Sequence, residues 1–419
     1  MDWEEAHPSS TARTAPGWLW RASAAFAIGT VAVAMLFSIV VRPYHHGTGA
    51  WNVPPDAWDS LVPAHYVADG AFPYIYEPDR QFVATPLLPI VLSPAAALDE
   101  HLGLTDSYPY NIPRPSMWLL YAPYAFALTF VLFFAAGRLT EEAWERLLRP
   151  GRPPVLAVQA ACLVFVVFPV GMLYGHFEDI LALAFVMLAI AALMRESWTS
   201  AALMLGVAIA FKQWAVLGLP VLLAATPSGR RMRAGLRSLV VPGALVAIPL
   251  LADPGHAVPA LFAAPSFPRH GHPALWVATS TNRIVGSPGR AGAVVTAIFV
   301  GWALRGRRDP AAVMAGFALV FLSRLFFEPV AWAYYLAPGL VLLVVHDAVL
   351  TRKLPARAIA LGTGLFLLFP LHPAQAAWWT ALTVGVVVLA LPALRALRSP
   401  RESPSERVTV TEPVRALAS

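Results

Sequence analysis

The chain is poor in charge, in lysine and in cysteine. Asp, Glu, Lys and Arg make up only 13% of its 419 residues, Lys212 and Lys353 are the two lysines, and Cys162 is the one cysteine. A single cysteine excludes an intrachain disulfide, and its place inside an apolar run suits ordinary packing. So little charge against 58% hydrophobic residues and a mean hydropathy of +0.61 excludes a soluble globular protein. No single core could hide that much apolar surface from water. The expected class is an all-α polytopic membrane protein. A net charge of +6 invites a nucleic-acid reading, but the arginines cluster between apolar spans, where the positive-inside rule accounts for them. Nucleic acid is not an expected partner. A clear internal repeat is also lacking, which counts against the common transporter folds. Met1 to Gly17 carries Asp2, Glu4 and Glu5 instead of a basic n-region, so the apolar run after it reads as an uncleaved anchor.

A run of about 17–25 apolar residues can cross the hydrocarbon, and shorter spans fit inside a bundle. The spans fall at Ala22–Val41, Met117–Ala136, Val155–Leu173, Ile180–Leu193, Ala201–Phe211, Trp214–Ala225, Leu239–Ala252, Ala291–Leu304, Ala311–Phe327, Val330–Val345, Ala358–Leu371 and Ala376–Leu394. The expectation is a bundle of roughly 10–12 transmembrane helices. Arginine clusters such as Arg138 to Arg152, Arg230 to Arg237 and Arg305 to Arg308 mark inner loops, so residues 1–21 and both termini are cytoplasmic. Residues 22–394 form the membrane domain, and the Arg-, Ser- and Pro-rich tail 395–419 reads as disordered. Two long outer loops remain, 42–114 and 253–290. In the first, Thr85 to Leu98 is apolar but broken by Pro86, Pro89 and Pro94, which suits an interfacial or re-entrant segment more than a span.

That first loop concentrates unusual chemistry. Asp56, Asp59, Asp69, Glu77 and Asp79 accompany His65, Tyr66, Tyr74 and Tyr76, in a chain that is elsewhere mostly apolar. Asp56 or Asp59 could take a proton from a hydroxyl nucleophile, or could cap a short helix after Pro54–Pro55. In YGHFED, His176, Glu178 and Asp179 lie in a short turn between two spans, where ionisable groups are costly and tend to face a cavity or a partner. Three such residues in one tight turn are a weak metal signal. Binding of sugar hydroxyls, or capping of the next span by Asp179, fits better. Lys212 interrupts an apolar stretch and needs a partner: a phosphate would serve, and snorkelling beside Trp214 is the alternative. Arg324 lies within a span one turn from Glu328, its natural ion-pair partner, and could instead bind an anionic head group. His256, Arg269, His270, His272 and Arg283 gather in the second loop as a metal cluster or a cationic rim for phospholipid. Trp332, Tyr334 and Tyr335 suit an interfacial belt or a sugar-stacking surface.

The order of these segments resembles the GT-C superfamily of polytopic glycosyltransferases, most of all its bacterial branch that uses polyprenyl-phosphate mannose to build phosphatidylinositol mannosides and lipomannan. The matching segments are an Asp soon after the first span, then HYVADGAFPY, FVATPLLPIVLSPAAAL, YGHFEDILALAFVMLAIAAL and LMLGVAIAFKQWAVLGLPVLL, which together cover most of Asp56 to Pro220. EPVAWAYYLAP adds a weaker likeness. The resemblance implies a GT-C-like bundle and an inverting transfer of mannose from polyprenyl phosphate to a lipid or glycolipid acceptor, at the extracytoplasmic face of the cell membrane. By it Asp59 is the general base and Asp56 the second candidate. Lys212 and Arg324 hold the donor phosphate, while His176, Glu178 and Tyr74 line the sugar pocket. Asp179, Tyr76, His65 and Glu328 join the candidate substrate-binding set. No cofactor is implied, and a divalent metal is not indicated. Asp56 and Asp59 are three residues apart, where the family pattern has a tighter acidic pair.

Two other classes compete with the enzyme. A transporter or flippase for a lipid-linked or anionic solute would line a pathway with Lys212, Arg324 and Glu178. A non-catalytic subunit of an envelope assembly complex would need none of them. The large outer loop favours the enzyme, because transporters generally place their binding residues at mid-membrane on broken helices.

Overall fold

The computed structural model describes residues 15–40, 58–77, 82, 84–102, 115–262, 265–266, 272–274, 284–285, 287–351, 355–371 and 374–398. Among the described residues eight helices are long and apolar enough to cross a membrane, and four shorter apolar helices accompany them. The protein is an all-α, multi-pass membrane protein. The chain begins with α1 (Gly17–Val40), then α2 (Trp58–Ala68), α3 (Leu87–His101), α4 (Pro115–Arg146) and α5 (Val155–Cys162). The last runs on as a wider π-type helix over Leu163–Tyr174. Next come α6 (Phe177–Met194), α7 (Trp198–Phe211), a 3-10 segment at Gln213–Gly218, and α8 (Leu219–Ala225). Then follow α9 (Arg231–Ala252), α10 (Pro254–Phe262), α11 (Ser287–Ala303) and α12 (Pro310–Phe327). α13 (Ala337–Thr351), α14 (Ala356–Leu368) and α15 (Gln375–Arg398) complete the set.

Burial sorts these helices into a core and a lipid-facing shell. α6 reads FEDILALAFVMLAIAALM, apolar all round after its first turn, and 83% of it is buried. A helix with no polar stripe belongs inside a bundle, and α6 packs there on α4 and α7. α1, α9 and α15 bury only 22–28% of their apolar windows, leaving residues such as Leu36, Leu251 and Val384 for acyl chains to cover. α7 and α9 meet closely at Gly206, where a side chain would stand 2.8 Å from the Ser238 carbonyl oxygen. Close approach at small residues is how membrane helices pack without a hydrophobic driving force between them.

Several boundaries differ from those the sequence suggests. The second span continues past Ala136 to Arg146: Arg138 is buried within the helix, 2.5 Å from Glu142 and 3.2 Å from Glu141, so pairing rather than a loop accommodates its charge. Arg231, Arg233 and Arg237, expected in an inner loop, form the first turns of α9. Val330 to Leu336 is not helical from its start. Val330–Ala331 is a strand antiparallel to His272–Pro273, and a 3-10 turn at Ala333–Leu336 precedes α13. The loop 253–290 likewise contains α10 and the Pro265–Ser266/Ile284–Val285 strand pair, while Arg269, His270 and Arg283 lie outside the described residues. α15 carries helix through Arg398, into the segment read as tail.

Thr85 to Leu98 does not form a span. It is mostly the helix α3, with Pro86 before its first residue, Pro89 in its first turn and Pro94 inside, and it packs on α2. Beside it Ile75, Tyr76, Phe82 and Ala84 form a small core of their own with Ala257 and Leu261 of α10. The Thr85 hydroxyl donates to the Ile209 carbonyl at 2.9 Å, which ties the first-loop module to the last turn of α7.

Candidate active site

The site grows from two breaks in helical structure. At the first, Gly175 takes a left-handed φ of 86°, which ends the wide helix and turns the chain into α6. Glycine adopts that conformation without a Cβ penalty. His176 stands at the N-cap position of α6, and Glu178 and Asp179 occupy its first turn, where the positive end of the helix favours carboxylates. Asp179 does not cap that helix, which has no side-chain cap. Its carboxylate accepts a hydrogen bond from Trp214 Nε1 instead.

At the second break α7 stops at Phe211, and Lys212 is extended, with φ −149° and ψ 125°. Unwound backbone at membrane depth is tolerated only where protein or a cavity surrounds it. Lys212 Nζ lies 2.6 Å from Glu178 Oε1 and 3.6 Å from Asp179 Oδ2, so its charge is held on two buried carboxylates instead of snorkelling outward. His176 Nδ1 sits 3.3 Å from the same Glu178 oxygen.

A second ion pair closes the cluster. Arg324 Nε donates to Glu328 Oε1 at 3.0 Å, the pairing its i,i+4 spacing predicts, and Arg290 Nε approaches Glu328 Oε2 at 3.6 Å. The Arg324 guanidinium lies 4.0 Å from the centre of the Tyr335 ring. Rings wall the other side. His176 stands 4.4 Å from Tyr334, and Tyr174 stands 5.2 Å from Tyr334 and 6.1 Å from Trp332. These aromatics are packed on the polar turn.

The hydrogen-bonding of the cluster is incomplete. Among the described residues Glu178 Oε2, Asp179 Oδ2 and Glu328 Oε2 are buried and accept no hydrogen bond. Among the described residues Lys212 Nζ donates one hydrogen bond of a possible three, and the Arg324 side chain donates through Nε alone. A buried unsatisfied polar atom costs about 1–3 kcal/mol, so several in one place leave hydrogen-bonding capacity that water, an ion or a ligand can meet. His176, Glu178 and Asp179 could also offer a metal three ligand atoms within 4.8 Å of one another. Lys212 already lies within reach of both carboxylates, the place a divalent ion would take. The donor set therefore fits an ammonium better than a metal.

The structure thus brings together His176, Glu178, Asp179, Lys212, Arg324 and Glu328. The remaining candidates belong to the first-loop module. Asp59 is in the first turn of α2, with its side chain outside the described residues, and Asp56 lies outside them altogether. His65 Nε2 is 3.7 Å from the buried Asp99. Tyr74 is exposed, whereas Tyr76 is buried and its hydroxyl donates to the Ala84 carbonyl at 2.8 Å. Burial pushes the Tyr76 phenol far above its ordinary pKa. Sequence reasoning gave no role to Arg290, Trp214 or Tyr174. Tyr174 was findable as the first letter of YGHFED; nothing in the sequence singles out Arg290.

A multi-pass bundle that buries carboxylates, cations and sugar-sized rings at one end of its helices has the makings of a membrane enzyme of sugar chemistry. The family model of glycosyltransferase family 87 matches residues 112–326, just over half of the chain and the stretch that holds Glu178, Lys212 and Arg324. The chain belongs to that family of GT-C-like membrane glycosyltransferases. No curated protein matches it.

Proposed function

We propose that the protein transfers a sugar, mannose by resemblance, from a polyprenyl-phosphate donor to a lipid or glycolipid acceptor at the extracytoplasmic face, with inversion. One observation carries this reading: spare cationic donors and spare carboxylate acceptors lie side by side in a buried, ring-walled cluster. Lys212 and the Arg324 terminal nitrogens suit a phosphate, and the open oxygens of Glu178 and Asp179 suit sugar hydroxyls. Tyr174, Tyr334 and Trp332 suit a sugar ring. In the reaction the acceptor oxygen bonds to the anomeric carbon as the carbon–oxygen bond to phosphate breaks. The acceptor proton passes to Asp59, and polyprenyl phosphate leaves carrying the bonding electrons. Lys212 and Arg324 stabilise that departing charge, so positioning and fixed electrostatics do most of the catalysis. Thr85 fastens the first-loop module, whose helix α2 carries Asp59, to the last turn of the helix that precedes Lys212, which supports a base supplied from that module.

The test is transfer of radiolabelled mannose from polyprenyl phosphate into a membrane lipid extract by the purified protein in nanodiscs. Asp59→Asn is expected to lower the rate about 10²–10⁴-fold, the usual contribution of a general base, and Asp56→Asn to leave it near wild type. Loss in Asp56→Asn alone would move the base to Asp56. No transfer by folded protein with this donor removes mannose. Silence across a panel of other polyprenyl-phosphate sugars, together with flux that depends on Lys212, would make this a transporter.

A further inference from the structure

The far end of the α6–α7 hairpin carries a second charged feature that sugar transfer does not use. α6 is 18 residues long, so the turn Arg195–Ser197 lies about 27 Å along the helix axis from Glu178. There the start of α9 leans on the start of α7 and borders an open cavity of about 310 Å³. Arg230, Arg233 and Arg237 line it, with Trp198 and Thr199 opposite.

The three arginines are spaced i, i+3 and i+7, which puts them on one stripe of the helix start. Arg231, off that stripe, turns away and donates to the Thr226 carbonyl. A topology signal needs basic residues somewhere near the span, but it does not need them aligned on one cavity. Arg237 donates to the Thr199 hydroxyl at 2.5 Å, and Arg308 stands 5.6 Å over the Trp198 ring. The carboxylate in the lining, Glu196, is held by Arg146 at 2.5 Å. Arg230 and Arg233 form no ion pair among the described residues. The cavity therefore carries net positive charge, three arginines in its lining against Glu196. Down α9 the same stripe becomes apolar: Val240 follows Arg237 by three residues and is 60% exposed, with Leu236 and Leu239 exposed beside it.

We propose that this cavity binds the phosphate of an anionic phospholipid, whose acyl chains lie along the exposed apolar face of α9. A basic cavity at a helix end, continuous with a lipid-facing surface, meets both halves of such a molecule. The site stands independently of which sugar the enzyme transfers.

The test is lipid retention by the full-length protein, measured by native mass spectrometry after equilibration with vesicles of phosphatidylcholine alone or mixed with phosphatidylglycerol. Wild type is expected to keep phosphatidylglycerol in preference to phosphatidylcholine. The triple variant Arg230→Gln/Arg233→Gln/Arg237→Gln is expected to lose that preference by about a hundredfold. The side chains are exposed, so folding should survive, as an unchanged melting temperature would confirm. Arg152→Gln/Arg395→Gln/Arg398→Gln removes equal charge elsewhere and should keep the preference. Equal loss in both triple variants would reduce the effect to overall charge and overturn the site. Saturable binding of inorganic phosphate as tight as that of phosphatidylglycerol, lost in the first triple variant, would assign the cavity to a soluble anion and overturn the lipid.

Discussion

The two ends of the α6–α7 hairpin hold ion pairs of nearly equal length in opposite surroundings. Lys212 and Glu178 lie 2.6 Å apart with side chains 11% and 6% exposed; Arg146 and Glu196 lie 2.5 Å apart with side chains 46% and 59% exposed. Distance alone would rank them together. Solvent separates them, because a charge in the interior has given up its hydration and depends on its partner, whereas an exposed charge keeps water as an alternative. The buried end is thus committed to a fixed arrangement of charge, as catalysis by preorganised electrostatics requires. The open end can exchange partners, as binding a mobile lipid head group requires.

Lys212→Met strikes the contrast hardest. It would leave Glu178 and Asp179 buried without their cation, and breaking such a pair typically costs about 3–5 kcal/mol. The expected outcome is a large fall in the melting temperature of the detergent-solubilised protein, together with loss of transfer. Adding Glu178→Gln should recover part of the stability and none of the transfer. If Lys212→Met melts with wild type, water reaches the cluster freely and the contrast fails. Glu328→Gln comes next. Arg324 keeps its stack on Tyr335 and a neutral acceptor replaces the carboxylate, so about 1–3 kcal/mol is expected from the weakened charged hydrogen bond. Weaker donor binding should accompany it, read as a raised KM with kcat less affected. The opposite split would mean that Arg324 acts mainly in the transition state.

The parts of this architecture legible in the sequence are those fixed by local chemistry. Apolar length gave the spans, and the one lysine inside an apolar stretch, Lys212, marked the break between α7 and the 3-10 turn. Arg324 and Glu328 declared their pairing by spacing alone. What could not be read was which distant residues share a buried space. Nothing local brings Trp214 to Asp179, Tyr334 to His176, or Arg290 to Glu328, because those contacts depend on how α6, α11, α12 and the turn before α13 pack. The same limit misplaced Arg138 and Arg237. Positive charge suggests a loop, whereas buried pairing in one case and an exposed helix start in the other keep each within a helix.

The smallest expected effect belongs to the open end. Arg146→Gln removes the 2.5 Å contact with Glu196 and the hydrogen bond from Arg146 Nε to the Met194 carbonyl, yet both charged groups of the ion pair can return to water. Exposed pairs typically contribute about 0.2–1 kcal/mol, so the melting temperature should fall slightly and transfer should be unchanged. Salt sharpens the point. Raising ionic strength screens charges in solvent and hardly touches buried ones. High salt should therefore erase most of the stability difference between wild type and Arg146→Gln while leaving that between wild type and Lys212→Met intact. Equal erosion of both differences would place the Lys212 cluster in contact with bulk electrolyte, and the preorganised field assigned to it would not exist.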